Sequence, residues 1–303
     1  MIAGSRLTGK YFGHHLTTDS AGRNRSSNKP LYGAALLILV CAGSLPLYVN
    51  AAQNDHLLSG ATWGQVRYPG SQQAEEDNDV IAEVGIQQAL HLVQFTPRAS
   101  VELFAQVDAS TDSQSLDWNH YVELGSGVQV IYILGDWGKL SLGGQHVWDW
   151  RTQSGDSLRS FEAFMRWSLQ FRKALTAFRT DRDGDNAPTL VARTYGRMRY
   201  PGNQDENQRE NALLEGTVEL ALFMPRHRYG IAVEPFVELH YKADSKDFDF
   251  NNKLEPASGV KLVFTPDSHT SIQLGVKYVG EYRFKSGTMD TGAVAFLSWD
   301  AWW

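Results

Sequence analysis

The feature that most constrains this chain is a period of two, sustained for longer than a soluble strand requires. In "DVIAEVGIQQALHL" one parity holds Val80, Ala82, Val84 and Ile86, and the other holds Glu83, Gly85 and Gln87. "SVELFAQVD" sets Val101, Leu103, Ala105 and Val107 against Glu102, Gln106 and Asp108. "KLSLGGQHVWDWR" sets Leu140, Leu142, Trp148 and Trp150 against Ser141, Gln145, Asp149 and Arg151. Successive side chains of a strand leave opposite faces, so each segment has an apolar and a polar side. A strand that crosses a bilayer at a tilt needs about 9–11 residues, and these runs reach that length. The pattern predicts an all-β, antiparallel, up-and-down transmembrane β-barrel with its apolar parity toward lipid and its polar parity toward the lumen. A lipocalin-like barrel or a sandwich shares the alternation but turns the apolar parity inward.

Counting such segments predicts about 12 strands in two tandem six-stranded halves. The first six fall at about 61–69, 79–93, 99–109, 120–134, 139–151 and 159–171. The second six fall at about 192–200, 212–224, 229–243, 253–264, 270–284 and 291–303. Connections alternate: "PGSQQAEEDN", "ASTDSQSLDWN" and "TQSGDS" are polar and longer, while "FTPRA" and "LGDWG" are tight. Long outer loops and short periplasmic turns are the habit of outer-membrane barrels. The final "AVAFLSWDAWW" alternates and ends on Trp303, which resembles the terminal recognition strand of such barrels, whose assembly machinery is an expected partner.

The halves also repeat in sequence. "WGQVRYPGSQ" at Trp63–Gln72 returns as "YGRMRYPGNQ" at Tyr195–Gln204, an offset of 132 that also pairs Glu102 with Glu234 and Arg151 with Arg283. A repeat of this length is read as a duplicated half-barrel, about 60–171 and 192–303, joined by a linker at 172–191. That linker's Asp181, Asp183 and Asp185 mimic the start of a calcium loop, but Asn186 stands at its glycine position and Ala192 at its closing glutamate position. It is read as a connector, and no metal site or cofactor is expected.

The N-terminus reads as a targeting segment. Residues 1–30 carry Arg6, Lys10, Arg23, Arg25 and Lys29 against Asp19, and an apolar run leads to Val49-Asn50-Ala51-Ala52. A basic leader, a short apolar core and a small-residue site predict a signal peptide over 1–52 and a barrel over 53–303. Cys41 is the only cysteine, so the exported part would hold neither disulfide nor thiol nucleophile. Removing residues 1–52 takes five basic residues and one acid from the totals of 28 and 34, leaving a net charge of −10. Such a chain repels nucleic acid.

Function would then lie in the lumen or the loops. The lumen residues predicted to contact solute are Arg67, Glu83, Glu102 and Arg151, with Arg199, Glu215, Glu234 and Arg283 from the second half. Ordered Arg and Glu rows hydrogen-bond hydroxyl-rich or charged solutes, but facing charges also pair with one another and hold a barrel's shape. Trp118 and Asn119 in "DWN", and Phe250 and Asn251 in "DFN", are candidate sugar contacts in the long loops; the aromatics are equally girdle anchors. No histidine lies in a Ser–His pattern, so no catalytic residue is expected.

The stretches "WGQVRYPG", "DNDVIAEVGIQQAL", "LDWNH" and "LGSGV", with their second copies, resemble the C-terminal barrel region of bacterial outer-membrane exopolysaccharide-export proteins, of the phage adsorption protein A and cellulose synthase operon C types. The resemblance implies an outer-membrane location, polysaccharide passage or a receptor role, an exopolysaccharide synthase or secretion complex as partner, and no catalytic residue. The sequence thus predicts a narrow pore or conduit, with a lipid or glycan hydrolase and a surface anchor or phage receptor as the alternatives.

Overall fold

A computed structural model describes residues 57–69, 79–114, 119–175, 188–201, 210–226, 230–246, 248–267 and 269–303. The expected signal peptide and the aspartates of the linker lie outside the described residues. Twelve strands follow one another: β1 (Leu58–Tyr68), β2 (Ile81–Thr96), β3 (Ala99–Asp112), β4 (Tyr121–Ile133), β5 (Gly138–Arg151) and β6 (Ser157–Ala174). The second half holds β7 (Thr189–Tyr200), β8 (Leu213–Arg226), β9 (Ile231–Asp244), β10 (Lys253–Phe264), β11 (Thr270–Arg283) and β12 (Met289–Trp302). Each strand pairs antiparallel with its chain neighbours, and β1 pairs with β12 to close the barrel.

The alternation explains why the sheet closes and where it sits. Leu103, Leu124, Val130, Leu142, Leu220, Val237, Leu262, Leu274 and Val276 are exposed on the outside. Glu102, Glu162, Glu234 and Glu281 are buried on the inside. This inverts a soluble protein, where charged residues are almost never buried and large apolar patches are rare. Within hydrocarbon a backbone must satisfy its own polar groups, and a closed sheet leaves no edge unpaired. The chain is a transmembrane barrel of the outer-membrane kind. Aromatics mark both ends of the wall: Trp137 and Phe171 lie 5.4 Å apart at the short-turn end, and Tyr282 and Phe284 lie 5.5 Å apart at the long-loop end.

The seam uses the C-terminal residues. Gly60 and Trp303 exchange backbone hydrogen bonds of 2.9 and 3.0 Å. A Cβ on Gly60 would overlap the Trp303 ring, so only glycine lets the terminal tryptophan lie against β1.

The predicted boundaries differ most at the link between halves. β6 and β7 remain paired from Arg172–Val191 to Ala174–Thr189, so the connection is shorter than 172–191. Alternation there is weak, since "RKA" and "TLV" offer no apolar-polar contrast, and ladder hydrogen bonds carry the pairing on. β2 likewise runs to Thr96, past two register shifts between His91 and Thr96.

Both copies of "RYPG" end a strand at the long-loop rim, and Tyr68–Pro69 and Tyr200–Pro201 are both cis. Asp79 accepts hydrogen bonds from the Ser113 amide and hydroxyl at 2.9 and 2.7 Å. At an offset of 132, Asn211 accepts the same pair from Ser245 at 3.1 and 3.0 Å.

Candidate functional site in the lumen

The polar parity of every strand meets inside the barrel, and register decides which charges touch. At the long-loop end Arg67 lies 3.9 Å from Glu83, Arg199 lies 3.8 Å from Glu162 and Arg151 lies 3.3 Å from Asp149. Arg283 donates to Glu281 at 2.8 Å and reaches Asp249 at 3.9 Å. All four arginines stand on the last or next-to-last residue of β1, β5, β7 and β11, so they surround the mouth. Farther in, Arg197 pairs with Glu215, and Lys277 with Glu238 at 2.5 Å.

The tightest cluster lies nearer the short-turn end of the second half. Arg193 pairs with both Glu219 and Glu234, and Lys261 meets the same two carboxylates at 2.6 and 3.2 Å. Glu234 is 0% exposed. Two cations and two carboxylates thus neutralise one another inside the bore, which is how buried charge is tolerated. In the first half the corresponding positions are Ala61, Gln87, Glu102 and Gln129. There Gln129 donates to Glu102 at 2.9 Å, and His91 lies 2.9 Å from the same carboxylate. At these four positions the second half carries two cations and two carboxylates, and the first half carries Glu102 as its one charge.

A matched row crosses four strands in each half. Trp63, Gly85, Asp108 and Glu123 stand side by side on β1 to β4. Tyr195, Thr217, His240 and Glu255 stand side by side on β7 to β10. Counting round the closed circuit, these rows face each other across the lumen. Four lumen phenylalanines make two edge-to-face pairs, Phe104–Phe164 at 5.7 Å and Phe236–Phe296 at 6.2 Å. Arg166 sits 4.3 Å over Phe164, and Lys261 sits 4.8 Å over Phe236.

Thus Arg67 and Glu83 come together, whereas Glu102, Arg151, Arg199, Glu215, Glu234 and Arg283 each have other partners. The eight predicted lumen residues fall on a rim, on the deeper Arg197–Glu215 pair and in the two clusters at Glu102 and Glu234, not in one site. Arg193 is not among the predicted lumen residues although it lies within the strand expected at 192–200 and shares the parity of Arg197 and Arg199. Trp63, Tyr195 and the phenylalanines escaped the sequence reading because aromatics also suit the lipid girdle. Parity was again the available signal.

In the loops, Trp118 lies outside the described residues, and Phe250 falls in a 3-10 turn at Asp249–Asn251. Asn119 donates to Asp112 at 2.9 Å and Asn251 is buried, so both amides face protein. Asp249 ties this turn to the β11–β12 loop by accepting the Ser286 amide at 2.9 Å. That hydrogen bond, followed by the charges of Arg283 and Lys285, holds its carboxyl below the ordinary carboxylate range. A lowered folded-state pKa means the tie is complete above the unfolded value and is lost as pH falls through the folded one. Acidification below about pH 4, or Asp249→Ala, is expected to speed proteolytic cleavage of these two loops while the wall stays intact. Equal cleavage rates at pH 7 and pH 3, measured with an acid-active protease, would refute it.

Two histidines make contacts that no local pattern announces. His120 lies 3.1 Å from the Thr111 hydroxyl and 2.9 Å from Asp112. His240 lies 3.1 Å from the Thr217 hydroxyl and 3.6 Å from Glu255. Hydroxyl, imidazole and carboxylate in series are the parts of a hydrolytic triad. At the place matching His120, however, Asn252 donates to Asp244 at 3.2 Å. An amide that cannot act as a base fills the same position, so bridging the loop does not require imidazole. Among the described residues, no group of three or more His, Cys, Asp or Glu could hold a metal ion.

No family model and no curated protein matches this chain. Solved structures match by shape. The β domain of the Bordetella autotransporter BrkA has a TM-score of 0.41 at 10% identity, over 80% of this chain and 98% of that one. An outer membrane channel from Pseudomonas putida F1 has a TM-score of 0.38 at 8% identity, over 83% and 97%. LpxR from Salmonella typhimurium has a TM-score of 0.35 at 9% identity, over 80% and 99%. Likeness at this level transfers no residue and no activity.

Proposed function

We propose that this outer-membrane barrel is a narrow conduit for hydrophilic solutes, without catalysis, and that its solutes are oligosaccharides or exopolysaccharide chains. The observation that carries this reading is the uneven wetting of the lumen. Tyr195 faces inward yet is 51% exposed, His240 in its row is half-buried, and Glu83, Arg197 and Arg67 are half-buried between that level and the mouth. Water therefore reaches between the walls at these residues, while Glu102, Glu162, Glu234 and Glu281 are closed to it. A barrel of twelve strands is moderately wider than the eight-stranded kind that side chains fill, which leaves room for such a path. The resemblance to exopolysaccharide-export barrels fits this reading, with a synthase or secretion complex as the partner.

A hydrolase is the second reading, supported by the two Thr–His–carboxylate chains. It loses turnover of lipid or glycan when Thr111, His120, Thr217 or His240 is replaced, and a conduit does not.

Planar-bilayer recording of the purified barrel separates these readings. Small, discrete conductance steps are expected, and Arg67→Ala with Arg199→Ala is expected to shift selectivity toward cations by removing two mouth charges. A folded barrel that passes neither ions nor oligosaccharide would end the conduit reading.

A further inference from the structure

We infer that Trp63 and Tyr195 are stacking faces for pyranose rings, forming a saccharide-binding belt in the lumen that takes neutral, hydroxyl-rich chains. The inference rests on the conduit reading and names the class of solute. Both residues open the duplicated motif "WGQVRYPG" and "YGRMRYPG", so the same place in each half presents an aromatic to the lumen. Register fixes their direction: Trp63 is paired with Gly85 and Asp300, and Tyr195 with Thr217 and Ser168, all on the polar parity.

Packing alone does not account for them. The lumen phenylalanines that hold the wall together are covered: Phe104 is 4% exposed and Phe164 6%. Trp63, in the same bore, is 37% exposed and Tyr195 51%. An aromatic ring left wet inside a barrel forgoes the burial that favours its presence there, unless a ligand supplies it. The Trp63 ring also has a prepared bed. A Cβ on Gly85 would overlap it, so glycine lets the indole lie against β2 while Trp63 stays 37% exposed.

The chemistry beside the rings selects the solute. A pyranose has an apolar C–H face for stacking and hydroxyls that donate to carboxylates. In the first-half row Asp108 receives the Gln106 amide, while Glu123 has neither hydrogen bond nor ion pair among the described residues. Glu255, which ends the second row, accepts from Lys253 at 3.2 Å and lies 3.6 Å from His240. The nearby arginines are occupied, Arg67 by Glu83 and Arg197 by Glu215. One carboxylate without a partner, Glu123, among cations already neutralised favours a hydroxyl donor and disfavours a polyanion. An apolar solute would leave the Glu123 carboxylate desolvated and unpaired.

The test is calorimetric titration of the folded barrel in detergent with maltohexaose, cellohexaose and oligogalacturonate, alongside block of its conductance by each. At least one neutral hexaose is expected to bind. Trp63→Ala and Tyr195→Ala are each expected to weaken that binding roughly tenfold, the loss of one stacking contact, and Tyr195→Phe much less. Trp148→Ala, on the lipid side, serves as control, and heat-shifted gel mobility confirms that each variant is folded. Binding of neither hexaose, binding of oligogalacturonate alone, or unchanged affinity in both alanine variants would overturn the belt. A barrel that conducts but binds no hexaose loses the belt and keeps the conduit; one that binds hexaose without conducting keeps the belt and loses the conduit.

Discussion

Glu234→Ala is expected to destabilise the folded barrel by about 3–5 kcal/mol, the usual cost of removing one partner from a buried ion pair. Glu234 has no exposure, and Arg193 and Lys261 both converge on it. Without it, two cations share Glu219 alone, and Lys261 among them is only 4% exposed. Arg193 cannot shed its proton, so its charge stays uncompensated. Glu234→Gln should cost less, because an amide oxygen still accepts from Arg193. Glu83→Ala provides the contrast: its pair with Arg67 is half-buried at 3.9 Å, and loose, wet pairs contribute about 0–1 kcal/mol. The measurement is the urea midpoint of heat-shifted gel mobility in detergent. Equal midpoints for Glu234→Ala and Glu83→Ala would show that the cluster does not hold the wall.

The fold was legible because its cause is local. Alternation places Leu103 and Glu102 on opposite faces before any partner strand is known. Partners were not legible. Arg193 meets Glu219 and Glu234 only because β7, β8 and β9 pair in one register, and a shift of one residue would turn every side chain to the other face. The Thr217–His240–Glu255 chain is likewise a row across three strands, with no signature along any of them. Trp63 shows a different failure. An aromatic suits lipid as well as lumen, and only its parity against Gln65 and Arg67 decides. Boundaries failed where apolar-polar contrast was weak, as at Arg172–Ala174, because backbone pairing does not need it.

The duplication itself supplies a way to open the bore without breaking the wall. Arg193→Ala, Glu219→Gln and Lys261→Gln together give the second half the residues the first half carries at Ala61, Gln87 and Gln129. Glu234 would keep a neutral donor, as Glu102 keeps Gln129 at 2.9 Å. No buried cation would be left unpaired, so the triple variant is expected to fold where Glu234→Ala fails. Two long cationic side chains leave the lumen, and the net charge there falls by one. Conductance is then expected to rise about twofold or more, with selectivity moving toward cations. Bilayer recording of the triple variant beside the parent decides it. A folded variant that conducts like the parent would place the limiting constriction elsewhere, and the mouth formed by Arg67, Arg151, Arg199 and Arg283 would be the next part of the lumen to substitute.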